Sequence, residues 1–265
     1  MTRIFGILIA VLFLSVGQTA SAQDGELLKR AQADTCPVPF RASNLETFGV
    51  PVCGMSNVRD RALGHAAAVM QRQLDYDQDG TPDNPAVVNE LLDSGAFFAV
   101  FRRESDIDRF FDSLPNDAHE TYETSTVVME DEMDISGREG WDPTVEEALH
   151  LVTQFGYAEV YPTVFGERKG SEIAVLMDQA RGGYFQRVPR QYPAGAYYTY
   201  DDRSCDYSCQ VTEFTFWAIT SMRGYHQKRR GDIDEEWRLN TPSRMQQNAR
   251  ELVAMLSRPE FGIAF

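Results

Sequence analysis

The chain has 265 residues, 43% hydrophobic and 11% aromatic, with 40 acidic against 25 basic side chains and a net charge of −15. That apolar content supplies an ample core and excludes global disorder. The strong negative charge argues against nucleic acid and anionic membrane surfaces as partners, since both repel an acidic protein.

Arg3, an apolar run over 4–16 and the small residues Ala20-Ser21-Ala22 have the layout of a secretory signal peptide. Residues 1–22 are therefore expected to be cleaved near Ala22, leaving an exported (secreted or periplasmic) protein. The run is too short to span a bilayer and no later stretch is long enough, so membrane insertion is not expected. Cys36, Cys53, Cys205 and Cys209 make an even set in an exported chain, which predicts two disulfides. Cys36 with Cys53 and Cys205 with Cys209 is the expected pairing. A Cys-x-x-x-Cys metal site is the alternative for the second pair.

Residues 23–57 mix proline, cysteine and short apolar pieces and read as a disulfide-clamped N-terminal arm. Residues 58–265 read as a single helix-rich α+β domain. Val58, Leu63, Ala66, Val69, Met70 and Leu74 recur at helical spacing, and a second helix is predicted over 85–92. Strands are predicted over 96–101 and 126–130, with a helix capped by Ser105 between them. Asp142 before Pro143 predicts a helix start, and Gly156 is placed to end that helix. Ser171 caps a further helix that stops at Gly182-Gly183. The Tyr-rich stretch 192–202 is expected to be extended, and helices are predicted over 210–222 and 243–257.

Between the first two helices stands Asp75-Tyr76-Asp77-Gln78-Asp79-Gly80-Thr81-Pro82-Asp83. Carboxylates at alternate positions repel one another in water, and a bound hard cation removes that cost. Alternating oxygen donors, with a glycine where the chain turns sharply, are what Ca²⁺ takes. The segment 75–86 resembles the EF-hand and dockerin-type calcium loop. The resemblance implies Asp75, Asp77 and Asp79 as side-chain ligands, Thr81 through its carbonyl, and Asp83 directly or through water. Where an EF-hand ends on a bidentate Glu this chain has Ala86, and Asn84 or Glu90 is the candidate for the missing oxygen. The alternative is a solvated acidic turn.

The helix from Pro143 carries Glu146-Glu147-Ala148-Leu149-His150. One helical turn separates Glu146 from His150, so both lie on one face with Glu147 on their flank. This arrangement resembles the His-Glu-x-x-His helix of zincin metallopeptidases, with Glu146 in place of the first His. Glu147 with His150 also fits the Glu-x-x-His half of a di-iron motif, but no second copy exists in the chain. Glu213 falls in a later predicted helix that is apolar nearly all round, where a carboxylate is costly unless paired or metal-bound. The segment 207–218, with its Tyr-x₅-Glu-Phe spacing, resembles the catalytic part of the anthrax lethal factor family within the gluzincins. The resemblance implies Zn²⁺ held by Glu146, His150 and Glu213, with Glu147 as general base and Tyr207 as oxyanion stabiliser. A peptide or protein would be the substrate. The plainer alternatives are a surface Glu–His pair on one helix, and Glu213 paired with Arg223, another Arg or a Tyr hydroxyl.

Among other titratable groups, His65 reads as a packed core histidine beside Ala66, and His119 and His226 as residues in polar surroundings. Asp201 and Asp202 shape a turn or line a cleft, and Asp178 is a weaker version of Glu213. No Gly-x-Ser-x-Gly elbow or Gly-rich phosphate loop is present. The expectation is a helix-rich α+β fold with a zincin-like catalytic region and a calcium helix–loop–helix in its N-terminal part. Its function would be that of an exported, calcium-stabilised zinc metallohydrolase. The competing expectation is a non-catalytic exported calcium-binding protein or binding module.

Overall fold

Phe97–Phe101 is apolar at every position, so it demands cover on both faces of its sheet. A computed structural model, describing residues 28–30, 36–40, 43–115, 118–138 and 140–265, places it accordingly. The sheet order is β1 (Leu28–Arg30), β2 (Ser43–Thr47), β3 (Val50–Gly54), β4 (Phe97–Phe101) and β5 (Ser125–Met129). β1 to β3 pair antiparallel, and β3 to β5 pair parallel. Alternation along β4 sends Phe97, Ala99 and Phe101 into a small core with Phe40, Cys53 and Phe110. Phe98 and Val100 point the other way, into the main core. Residues 1–22, expected to be a signal peptide, lie outside the described residues.

The β2–β3 hairpin turns on Phe48 (φ 50°) and Gly49 (φ 88°), both left-handed, with Thr47 opposite Val50. That is the two-residue turn whose twist matches the strands it joins. The stretch expected to form an arm over 23–57 thus supplies strands to the sheet, and the Cys36–Cys53 disulfide fastens onto β3. Hairpin pairing satisfies the backbone groups of this stretch, and the clamp expected of it is the Cys36–Cys53 bond.

The helices are α1 (Asp60–Leu74), α2 (Pro85–Asp93), α3 (Glu104–Ser113), α4 (Pro143–Val152), α5 (Glu172–Arg181), α6 (Tyr207–Met222), α7 (Arg230–Ile233), α8 (Pro242–Asn248) and α9 (Arg250–Leu256). The α1–loop–α2 unit connects β3 to β4 and α3 connects β4 to β5, so the fold is helix-rich α+β. Among the described residues no helix is long and apolar enough to cross a membrane. Three expectations shift. Ser105 does not cap α3, which starts after Arg103 without a side-chain cap. The helix expected over 243–257 breaks at Ala249, whose φ of −136° and ψ of 48° lie outside the helical region. Gly156 does not end α4. The chain continues through a π turn, Thr153–Tyr157, and on through Ala158–Val160. A Cβ on Gly156 would come within 2.6 Å of Val87 Cγ1, so the glycine lets α2 pack closely.

The start of α4 is fixed as its sequence requires. Asp142 Oδ1 accepts the Thr144 N–H at 3.1 Å, and Pro143 occupies the first turn. Its other oxygen lies 2.6 Å from His65 Nε2 on α1. His65 is therefore no packed core histidine; it ties α1 to the cap of α4. Helix α6 is buried nearly all round. Asp206 caps it by accepting the Cys209 N–H at 3.0 Å, and Cys205–Cys209 closes the turn before it.

Candidate functional site

α4 and α6 pack against each other and bring their carboxylates to one place. Ligand atoms of Glu146, His150 and Glu213 lie within 4.8 Å of one another. His150 is 7% exposed, and its Nε2 is buried 3.7 Å from Glu213 Oε2. That nitrogen has no hydrogen-bond partner among the described residues, although a buried polar atom almost always has one. Of the partners that the plainer alternative offered Glu213, the structure supplies a tyrosine hydroxyl, that of Tyr200, and not Arg223. Arg223 instead donates to Gln73 Oε1 at 2.6 Å and to the Ala264 carbonyl at 3.1 Å.

The electrostatics of the cluster are those of groups crowded out of water. Burial, aided by Glu213 and Glu147, pushes the Glu146 carboxyl up to about 7 against the pull of His150. Burial disfavours the His150 cation, but Glu147, Glu213 and Glu146 outweigh it and raise the imidazole to about 9. Glu213 is also raised, chiefly by burial. Two carboxylates and an imidazole that all hold protons more tightly than usual gain from a cation that replaces those protons. The donor set, one nitrogen and two carboxylates, suits a borderline ion such as zinc.

Glu147 keeps about a third of its side chain exposed (34%), with Oε2 3.9 Å from His150 Nδ1. It therefore stands beside the triad on the open flank of α4. Tyr207 is placed elsewhere. Its hydroxyl donates to Asp178 Oδ2 at 3.1 Å, and its ring lies under the Arg181 guanidinium at 5.3 Å. Asp178 also accepts from Arg181 at 2.6 Å, so these residues form a half-buried brace between α5 and the start of α6. Six positions along a helix carry Tyr207 about 9 Å from Glu213 and round the axis. The tyrosine that does meet the cluster is Tyr200, whose hydroxyl faces the Glu213 carboxylate. Burial and that carboxylate raise its pKa. Glu167 accepts from the Thr212 hydroxyl, next to Glu213, and burial pushes it up to about 7.

A cleft of about 750 Å³ reaches the cluster at Glu146, with Tyr192, Tyr200, Trp217 and Arg229 also among its walls; His150 and Glu213 lie behind that wall. Asp201 lines it, while the Asp202 carboxylate accepts from the Ser204 N–H at 2.8 Å and shapes the turn. Sequence reading missed Tyr200, Glu167 and Arg229. The Tyr-rich run was the one available signal, and periodicity could not say which of its rings turns inward. His226, expected in polar surroundings, is fully buried between Trp141 and Trp217.

The acidic loop forms a second cluster. Oxygens of Asp75, Asp77 and Asp83 lie within 4.8 Å of one another. Asp75 is buried and accepts the N–H groups of Asp79 (3.1 Å) and Gly80 (3.0 Å), and Asp83 accepts that of Tyr76 at 2.9 Å. Gly80 takes φ 88°, the left-handed turn that the glycine was expected to supply. Asp79 turns its Oδ1 to the Thr81 N–H at 2.8 Å. Asn84, a candidate for the missing ligand, is spent on capping α2. Its Oδ1 accepts from Ala86 and Val87, and its amide donates to the Phe261 carbonyl at 2.9 Å.

Comparison with models of protein families, with curated proteins and with solved structures returns no match, so the site is read from its own geometry.

Proposed function

We propose that this chain is an exported metallohydrolase that binds zinc at Glu146, His150 and Glu213, cleaves peptide bonds, and is stabilised by calcium in the 75–86 loop. The observation that carries the proposal is the buried His150 Nε2, which has no hydrogen-bond partner among the described residues and faces two carboxylates from different helices. The two disulfides fit an oxidising environment.

A zinc ion at such a site supplies a water of lowered pKa and polarises a carbonyl. The chain's own residues do the rest. Glu147, beside the triad and partly exposed, takes the proton from the attacking water and returns it to the leaving amine. Tyr200 replaces Tyr207 as the hydroxyl that can donate to the developing oxyanion, because it is the tyrosine at Glu213. Tyr192, Pro193, Tyr200 and Trp217 in the cleft wall offer apolar contact to the flanking peptide, among side chains that are largely charged. In the loop, Asp75, Asp77 and Asp83 supply the calcium oxygens that the geometry favours, with Asp79 and Thr81 completing the set.

The test is the metal content of the mature protein after weakly held ions are removed by dialysis. One zinc per chain, lost in Glu213→Ala and in His150→Ala, together with zinc-dependent hydrolysis of a mixed peptide pool, supports the proposal. Calcium alone in the wild-type protein, with no peptide turnover, would leave the non-catalytic calcium-binding reading in its place.

A further inference from the structure

The cleft wall beside Glu146 holds a cation whose orientation is set by a chain of buried groups. Arg229 is half-buried, lines the cleft and interacts with Glu146 and Asp232. Its guanidinium lies 4.3 Å from the centre of the Trp141 ring, and its Nη1 donates to His226 Nδ1 at 3.1 Å. Because arginine can only donate, His226 Nδ1 must be the acceptor and its proton sits on Nε2. That nitrogen lies 2.7 Å from the Thr220 hydroxyl, which itself donates to the Phe216 carbonyl at 2.6 Å. Every hydrogen in the chain then has one consistent position. Burial and the neighbouring guanidinium hold the imidazole pKa down at about 3, so His226 remains a neutral acceptor at any working pH.

The result is a guanidinium clamped on one side by an imidazole and an indole, with one of its five N–H groups engaged and no other guanidinium hydrogen bond formed among the described residues. Glu146 and Asp232 act on the cation only through space, and Asp201, Glu235 and Glu236 line the same cleft with Arg190, Arg203 and Arg238, so Arg229 is singled out by its fixed orientation and its open donors rather than by net charge. A planar fork held in place with free N–H groups is suited to a carboxylate.

We propose that Arg229 is the anion-recognition residue of this cleft, and that the substrate is a peptide presenting a carboxylate next to the bond held at Glu146, His150 and Glu213. The inference rests on reading the cleft as the substrate site of a zinc hydrolase. The carboxylate is either a C-terminus or an acidic side chain, and one experiment separates the two.

Three blocked tripeptides serve as probes, titrated by NMR into the mature protein with and without zinc. They are acetyl-Ala-Ala-Ala-amide, the same peptide as its free acid, and acetyl-Ala-Glu-Ala-amide. The expected result is that one charged peptide binds about tenfold or more tightly than the neutral one, as a well-placed charge-assisted bond provides. The winning peptide identifies the source of the carboxylate. In Arg229→Gln the preference should vanish while the neutral peptide binds as before. Arg229→Lys, which keeps the charge but loses the fork and the bond to His226, should retain a reduced preference. Equal binding of all three peptides to the wild-type protein overturns the proposal, as does a preference that survives in Arg229→Gln. Absence of zinc or of hydrolysis would refute the metal reading alone, because the carboxylate preference is also read without metal.

Discussion

The acidic loop and the α4–α6 cluster each bring three metal-ligating side chains within 4.8 Å, yet they are assembled by different physics. In the loop the ligands are neighbours in sequence. Backbone N–H groups already satisfy part of their charge: Asp75 accepts two, while Asp77, Asp79 and Asp83 accept one each. In the interior the three side chains come from two helices, and the central nitrogen has no hydrogen-bond partner among the described residues. The first arrangement is set up by local turns; the second depends on the fold. A hard cation suits the former, where oxygen donors are many and partly exposed. An ion that accepts few ligands and a nitrogen suits the latter.

The largest effect that separates the two is proton competition. Zinc must displace the protons that Glu146 holds up to about 7 and His150 up to about 9. The sign is definite: both groups are raised, so lowering the pH favours the protonated, metal-free cluster, and affinity climbs with pH. Two protons released below pH 7 give a rise of about 100-fold per pH unit, and one proton between 7 and 9 gives about tenfold. Calcium affinity of the loop should change far less over that window. Competition titrations with a chromophoric chelator at several pH values measure both, and a pH-independent zinc affinity would remove the buried cluster from consideration.

Next in size is the contrast between the tyrosine at the cluster and the one on the brace. Tyr200→Phe should lower kcat for peptide hydrolysis by about 100-fold with little change in KM, the cost of losing one oxyanion donor. Zinc content should stay at one per chain. A Tyr200→Phe enzyme with undiminished kcat would mean that the hydroxyl at Glu213 only positions the ligand.

The loop is probed by stability rather than rate. Asp77 is exposed and its side chain accepts one local N–H, so removing it costs little unless an ion is bound. With calcium at a hundred times its dissociation constant, linkage supplies about 2.7 kcal/mol. Asp77→Ala should lose most of that in calcium and almost nothing in EDTA, as followed by thermal unfolding. Equal losses in both media would return the loop to an ordinary acidic turn.

The same contrast explains what could be read in advance. The loop motif, the Asp142-Pro143 start of α4, the Ser171 cap and the pairing of the cysteines are local: each depends on residues close in sequence and on turn or cap chemistry. The convergence of Glu146, His150 and Glu213 was legible only as a suspicion, because a carboxylate in an apolar helix needs a partner without saying which. Tyr200 lay hidden, since an extended Tyr-rich run has no period to mark its inward ring. His65 and His226 were misread because what surrounds them comes from far along the chain: Asp142 for His65, and the Trp141 ring that helps bury His226. Gly156 looked like a helix stop because glycine ends helices more often than it admits a neighbour such as Val87.

The smallest effect is the sharpest check on which tyrosine belongs to the site. Tyr207 donates to an Asp178 that remains paired with the buried Arg181, and Arg181 also donates to Gln210. Removing the hydroxyl therefore leaves no buried charge unpaired, and Tyr207→Phe should cost only about 1 kcal/mol, or some 2–4 °C in Tm for a chain of this size. Its peptide turnover and zinc content should match the wild-type protein. If Tyr207→Phe instead lost kcat as steeply as Tyr200→Phe is expected to, the start of α6 would have to approach the cluster during turnover. The brace between α5 and α6 would then be the element that opens.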